Sequence, residues 1–366
     1  MSITATRRTT DAGSAPIGSR FTRRLSETPE IGVVLACVVV FIGVFLAKSS
    51  FANTANLQEM GRNLAEFGIL AIGESFVILT GGIDLSVGSL AALAGVFASW
   101  LFVNEGLPLG PTILVTLLLC AAVGVMHGLF VTRLNVPPFV ITLVTYTAAR
   151  GAAEAITKSV PITISGNGYL GLSRNDIGGV PLPAVVFVLV AVVAWFVLER
   201  TYFGRQVYAV GGNPEAARLA GIRTTRRIMS TYVVSGVLAG IVGILITARL
   251  GVGDPSVATG YELDAIAAAV IGGVSLFGGQ GRILGIAAGA VLLVLINDGM
   301  IVLNVSPYYQ QIVLGVVLAI AITADRLRAK RMGRPRKLQM LKGQAPGETA
   351  NSAGADSATS SSPPVG

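Results

Sequence analysis

Apolar and polar residues follow one another along this chain in long blocks, without a short amphipathic period. Apolar blocks lie at about 31–47, 62–80, 84–103, 111–132, 137–157, 182–198, 228–250, 261–274, 283–303 and 308–324. Most reach the roughly 20 residues that a helix needs to cross a hydrocarbon layer. The pattern therefore predicts an all-α integral membrane protein of about ten transmembrane helices. The second and third blocks are separated only by Gly81-Gly82-Ile83, and the eighth is short for a crossing. Broken helices are expected at Gly81-Gly82 and at Gly272-Gly273, with Asp84 capping the helix after the first break and Gly82 holding a backbone angle that other residues tolerate poorly. The two breaks resemble one another, which suggests a parallel repeat of spans two–three and eight–nine. Small residues recur four apart at Ala91/Gly95, Gly124/Gly128, Gly236/Gly240 and Gly285/Gly289. Such pairs let helix backbones approach closely in lipid, so they predict packing faces.

The longest polar interruption, 199–227, carries its own short element. Asn213 can cap the first free N–H groups, Pro214 suits the first helical position, and Glu215 opposes the positive end of the helix dipole. Gly221 supplies the left-handed residue that stops the helix. Two turns are too few to be stable alone, so packing must hold this helix.

Composition agrees with the membrane reading: of 366 residues, 52% are hydrophobic and 13% charged. Mean hydropathy is +0.72. The net charge of +8 could suggest a nucleic-acid partner in a soluble domain. Its distribution gives another origin. With both termini cytoplasmic, 21 of the 27 Lys and Arg fall on the inner side: the N-terminal tail, Arg133, the 199–227 loop, Arg282 and Arg326 to Lys342. This is the positive-inside bias of a plasma-membrane protein, and no nucleic acid is needed. Residues 1–29 read as a disordered basic cytoplasmic tail and 30–325 as the transmembrane domain. Residues 326–366 read as a second tail, basic enough at first to lie on membrane lipid and then of low complexity.

Ionisable residues inside apolar blocks are candidate pathway residues, because a charge facing lipid is costly. They are Glu74, Asp84 with Ser86, Arg150 and Glu154, Asp264 and Asp298 with Asn297. Arg150 and Glu154 stand one turn apart and are expected to form an intrahelical ion pair. His127 reads as a packed residue. Cys37 and Cys120 lie in apolar blocks and form no metal-binding spacing, so neither a metal nor a cofactor is expected on this chain. A phosphate-binding Gly-x-x-x-x-Gly-Lys-Ser/Thr loop is absent, as are the common hydrolase motifs. The chain reads as a transporter. An intramembrane enzyme would need a paired nucleophile and base, which the sequence lacks.

The string Gly211-Gly212-Asn213-Pro214-Glu215-Ala216-Ala217-Arg218-Leu219-Ala220-Gly221-Ile222 resembles the Glu-Ala-Ala coupling segment of ATP-binding-cassette (ABC) importer permeases, of the branch that imports ribose and related sugars. The likeness extends to Leu79-Thr80-Gly81-Gly82-Ile83-Asp84-Leu85-Ser86-Val87-Gly88-Ser89 and to the segment from Gly260 to Gly273. It implies a separate ATPase subunit, which carries ATP and Mg and receives residues Gly212 to Arg218, with Ala216 and Ala217 entering a groove. It also implies an extracytoplasmic substrate-binding protein and a second permease copy, identical or a close paralogue. The implied cargo is a pentose, hexose or polyol, although nucleosides and branched-chain amino acids use related permeases. The other reading is an ion- or proton-coupled secondary transporter, with Glu74, Asp84 and Asp298 as coupling carboxylates.

Overall fold

A computed structural model describes residues 29–332; the expected tails lie outside the described residues except at 29 and 326–332. The chain divides into two units, Met1–Asp325 and Arg326–Gly366, and the first carries all that follows except the last turns of α13. Its helices are α1 Pro29–Ala47, α2 Thr54–Leu79, α3 Val87–Val103, α4 Leu109–Arg133, α5 Pro138–Thr157, α6 Asn167–Arg174, α7 Leu182–Trp195, α8 Tyr202–Gly212, α9 Pro214–Leu219, α10 Thr224–Leu250, α11 Tyr261–Ile271, α12 Ile283–Val302 and α13 Pro307–Met332. A helix stands in each of the ten apolar blocks. Among the described residues six, α1, α4, α7 (with its π-turn Phe196–Arg200), α10, α12 and α13, are both long and apolar enough to cross a membrane. Helix α2 is long enough but carries Glu59, Arg62, Glu66 and Glu74.

The bundle is assembled around α10, which packs against α2, α3 and α4. Its glycines explain how closely. A Cβ on Gly243 would lie 2.0 Å from the carbonyl oxygen of Ala91, and one on Gly236 would lie 2.5 Å from that of Cys120. The small-residue pairs predicted as packing faces are therefore helix contacts. Outward-facing apolar residues such as Val38, Val39 and Ile42 on α1, Leu114 and Leu118 on α4, and Val188 and Leu189 on α7 stay exposed, as lipid contact requires.

Two helices fall short of a crossing of about 30 Å, α3 slightly and α11 by about half. At about 1.5 Å per residue, α3 extends roughly 25 Å and α11 roughly 16 Å. Their first turns meet: a Cβ on Gly88 would lie 2.3 Å from Oε2 of Glu262 and 3.5 Å from its backbone nitrogen. Non-helical segments, 80–86 and 254–260, rich in turns, lie on either side of this meeting. In the first pair the short helix follows the break and in the second it precedes it, so spans two–three and eight–nine are not a parallel repeat of like elements.

The loop after α5 is more ordered than its polar composition suggests. It holds β1 (Ile162–Thr163), α6 and a β2–β3 hairpin (Asp176–Ile177 with Val180–Pro181). Strand β1 pairs antiparallel with β4 (Val252–Gly253), joining the loops after α5 and α10. Tyr169 of α6 is fully buried, its hydroxyl 2.9 Å from that of Thr247 on α10. A lone aromatic among glycines and polar residues gave little sign of this in the sequence.

Candidate coupling face and polar pathway

The 199–227 interruption folds as the local chemistry demands. Thr201 caps α8, accepting from the Gly204 N–H, and Asn213 Oδ1 accepts from the Ala216 N–H at 3.0 Å. Pro214 opens α9, and Gly221 ends it at φ +83°. Glu215 and Arg218 form a 2.7 Å ion pair on its exposed face. Each holds the other charged: the guanidinium lowers the Glu215 pKa, and the carboxylate raises that of Arg218. Ala216 and Gly212 are exposed. Ala217 is not. It is 5% exposed, turned into its own chain, and the apolar group that α9 presents outward is Leu219, 79% exposed. This corrects the expectation that Ala217 enters a groove on a partner.

Helix α8 attaches this element to the bundle. The Tyr208 hydroxyl donates to the Gly281 carbonyl at 2.9 Å, and Arg227 donates to Gln206 while lying 5.1 Å over the Phe203 ring. At its end the backbone of Gly211 touches two other segments. A Cβ there would lie 1.8 Å from the carbonyl oxygen of Leu79 and 2.6 Å from the amide nitrogen of Gly279. The short helix thus stands beside the end of α2 and the loop that leads from α11 to α12.

Helices α2, α9 and α11 end in the same way. Gly81 N donates to Ile78 O and Gly82 N to Val77 O; Gly273 repeats this with Val270, as Val274 does with Ala269; Gly221 and Ile222 do so with Arg218 and Ala217. This is the paired Schellman cap. Gly81, at φ +83°, corresponds to Gly273, at φ +93°, so the two Gly-Gly pairs are offset by one residue. The left-handed residue of the first break is Gly81, not Gly82 as expected. Gly82 is constrained by space instead: a Cβ would lie 2.6 Å from the Tyr232 hydroxyl oxygen. Gly272 packs its backbone against Gly285.

The non-helical segment after the first break is tied back to α2 by carboxylates. Asp84 N–H donates to Glu74 Oε1 at 3.0 Å, and Asp84 Oδ1 accepts from the Ser86 N–H at 3.0 Å and its hydroxyl at 2.6 Å. Ser235 of α10 donates to Asp84 Oδ2 at 3.0 Å. Asp84 therefore closes a turn before α3, and does not cap the first turn of that helix. Glu74 Oε2 and the Tyr232 hydroxyl are buried without hydrogen-bond partners among the described residues. His127 is packed, as expected, with Nε2 2.7 Å from the Thr145 hydroxyl.

Arg150 and Glu154 are not paired. Arg150 Nη1 donates to the carbonyl of Pro255 and, at 2.8 Å, to that of Val257, while Glu154 is exposed. The segment 254–260 has no helix of its own to satisfy its carbonyls, and a guanidinium meets that demand better than an ion pair on one helix would. Asp264 is half-buried, one turn on from Tyr261.

Asn297 and Asp298 stand elsewhere, at a cavity of about 480 Å³ formed by α2, α10, α11, α12 and α13. Asn63 of α2 joins them by donating to Asp298 Oδ1 at 3.0 Å. Arg249 donates to Asn63 and to Glu66, both at 2.8 Å, and to Glu59. None of Glu59, Asn63, Glu66 or Arg249 stood out in the sequence as a pathway residue. Their spacing on one face of α2 (59, 63, 66) was the available sign. The structure thus separates the predicted pathway residues into a break cluster, a carbonyl anchor and a cavity.

The comparisons with known proteins concern the same stretch. Residues 61–322 match the family described as "Branched-chain amino acid transport system / permease component". The chain is 38% identical over 302 residues to the ribose import permease protein RbsC of Bacillus subtilis, covering 82% of this chain and 94% of that one. It is 33% identical to the xylose transport system permease protein XylH of Haemophilus influenzae, covering 82% and 96%. With the D-allose transport system permease protein AlsC of Escherichia coli it shares 34% identity, covering 81% and 91%. No solved structure matches. A match over most of the chain, on a bundle with apolar outer faces, identifies it as a member of this family of ABC-importer permeases: a multi-pass subunit of the cell membrane that transports and is not an enzyme.

Proposed function

We propose that the chain is the permease of a sugar importer, taking a pentose, hexose or related polyol. The names of the ribose, xylose and allose relatives support this class, each matched over nearly its whole length. The observation that carries the mechanism is the junction of Gly211 with Leu79 and Gly279, where the exposed short helix abuts both broken segments. In this reading Gly212, Asn213, Pro214, Glu215, Ala216, Arg218 and Gly221 form the coupling helix, with Leu219 as its apolar anchor on the ATPase. ATP and Mg belong to that ATPase. An extracytoplasmic binding protein delivers the sugar, and a second permease copy completes the pore within the lipid.

The same reading has ten membrane segments, two of them completed by non-helical chain, and both termini cytoplasmic. The β1–β4 pair supports a shared outer side for the loops after α5 and α10. The Gly81, Gly211 and Gly279 contacts support a shared inner side for the breaks and the coupling helix. Cysteine labelling in cells, in a background lacking Cys37 and Cys120, tests this. An impermeant maleimide is expected to reach Asp254→Cys and Gly168→Cys but not Gly212→Cys; reaction at 212 overturns the topology.

Coupling is tested by co-purification of the ATPase and ATP-driven sugar uptake in vesicles. Leu219→Asp is expected to abolish co-purification with normal membrane insertion. Ala217→Glu, buried in the chain itself, is expected to lower the amount of folded permease. Uptake driven by an ion gradient without ATP would favour the secondary-transporter reading, with Glu74, Asp84 and Asp298 as its carboxylates.

A further inference from the structure

The cavity lined by Asn63, Arg249, Asn297, Asp298, Gln310 and Gln311 lies far from the coupling helix. Asn63 and Leu79 are sixteen residues apart on α2, or roughly 24 Å along the helix. We propose that this cavity is the binding station of an uncharged, hydroxyl-rich ring on its way through the permease. The proposal rests on the importer reading and adds the residues that hold the cargo.

The lining chemistry leads to that class. Asp298 is 5% exposed; Oδ1 is taken by Asn63, and Oδ2 is buried without a partner among the described residues. A buried acceptor left empty is costly, and a hydroxyl donor entering the cavity would satisfy it. Asn297 and Gln311 bring amide groups that both donate and accept, and Gln310, whose Nε2 donates to the Val305 carbonyl at 2.8 Å, brings an amide oxygen, which suits hydroxyls. Phe67 and Tyr261, with ring centroids 4.6 Å apart, add an apolar wall for the C–H face of a ring. The volume of about 480 Å³ falls in the range of small-molecule sites.

Charge selects against anions. Arg249 is the cation of the lining, and it is already engaged by Glu59 and Glu66. With Asp298 the carboxylates outnumber it, so a phosphorylated or carboxylated sugar would meet net negative charge.

The test uses the permease assembled with its ATPase and binding protein in membrane vesicles, supplied with ATP and labelled D-ribose, D-xylose or D-allose. Asp298→Asn keeps an acceptor for Asn63 and turns the free acceptor into a donor; Gln310→Ala and Gln311→Ala remove amides and leave Asp298 in place. For whichever sugar the parent carries, uptake per assembled complex is expected to fall about tenfold or more in Asp298→Asn. The ratios of uptake among sugars are expected to change in at least one glutamine variant. A structural role would lower assembly and scale all sugars alike. Parental rates and ratios in Asp298→Asn and both glutamine variants overturn the cavity assignment and leave the importer reading standing. Failure of the parent to carry any of the three sugars overturns the sugar reading and this proposal with it.

Discussion

The amide of Gly279 donates to the carbonyl of Leu79 at 3.0 Å, across 200 residues of sequence. Leu79 is the last residue of α2, and its carbonyl would be free at a helix end. The loop after α11 supplies the donor, so the two broken segments are joined by backbone alone. Gly211 packs against this bond, so the end of α8, the end of α2 and the loop after α11 meet at one point.

Gly211→Ala should therefore be far more harmful than its neighbour Gly212→Ala, which meets nothing within 4 Å. Overfilling a packed site costs typically 1–3 kcal/mol, whereas a substitution in open space stays within about 0.5 kcal/mol. Thermal unfolding of the purified permease checks the difference, and ATP-driven uptake should follow the same order. Equal behaviour of the two variants would remove the junction from the coupling path.

At the first break the two glycines should fail for different reasons. Gly81→Ala forces a side chain into the left-handed region, at a cost of roughly 1–2 kcal/mol, and no change in a neighbour can relieve it. Gly82→Ala collides with the Tyr232 hydroxyl, so Tyr232→Phe should recover much of its stability. A double-mutant cycle by thermal unfolding reads this as a coupling for Gly82 and none for Gly81.

Not all of this was legible in the chain. The blocks of apolar residues sufficed to find the ten helices that stand in them, though not α6 or α8 in the polar stretches, and Asn213, Pro214 and Gly221 sufficed to bound the short one, because caps are local chemistry. What escaped was set by contacts between distant segments. Nothing near Arg150 says that its partners are the carbonyls of Pro255 and Val257. Nothing near Ala217 says which face of α9 turns inward. Nothing local says that the first turns of α3 and α11 meet, a fact about two segments more than 170 residues apart.

Arg249 offers a third test. Its guanidinium neutralises Glu66, whose side chain is 4% exposed, and Arg249→Met should strand that carboxylate. Breaking a buried pair from one side costs about 3–5 kcal/mol. Glu66→Gln in the same chain should restore most of the loss, since Glu59, at 45% exposure, can be solvated alone. Unfolding temperatures of the single and double variants decide it. A double variant as unstable as Arg249→Met would mean that Arg249 acts through packing.

The strap formed by β1 and β4 has a mechanical consequence. It fastens α5 to α10, and Arg150 fastens α5 again to the segment beyond. Tyr169 adds a third fastening between that loop and α10. With α3 and α4 packed on the same helix, this side of the bundle should move as a single block. Helices α12 and α13 carry none of these fastenings, yet they supply Asn297, Asp298, Gln310 and Gln311. Any opening of the cavity would have to part α12 from α2 at the hydrogen bond by which Asn63 holds Asp298, the same carboxylate proposed to meet the cargo.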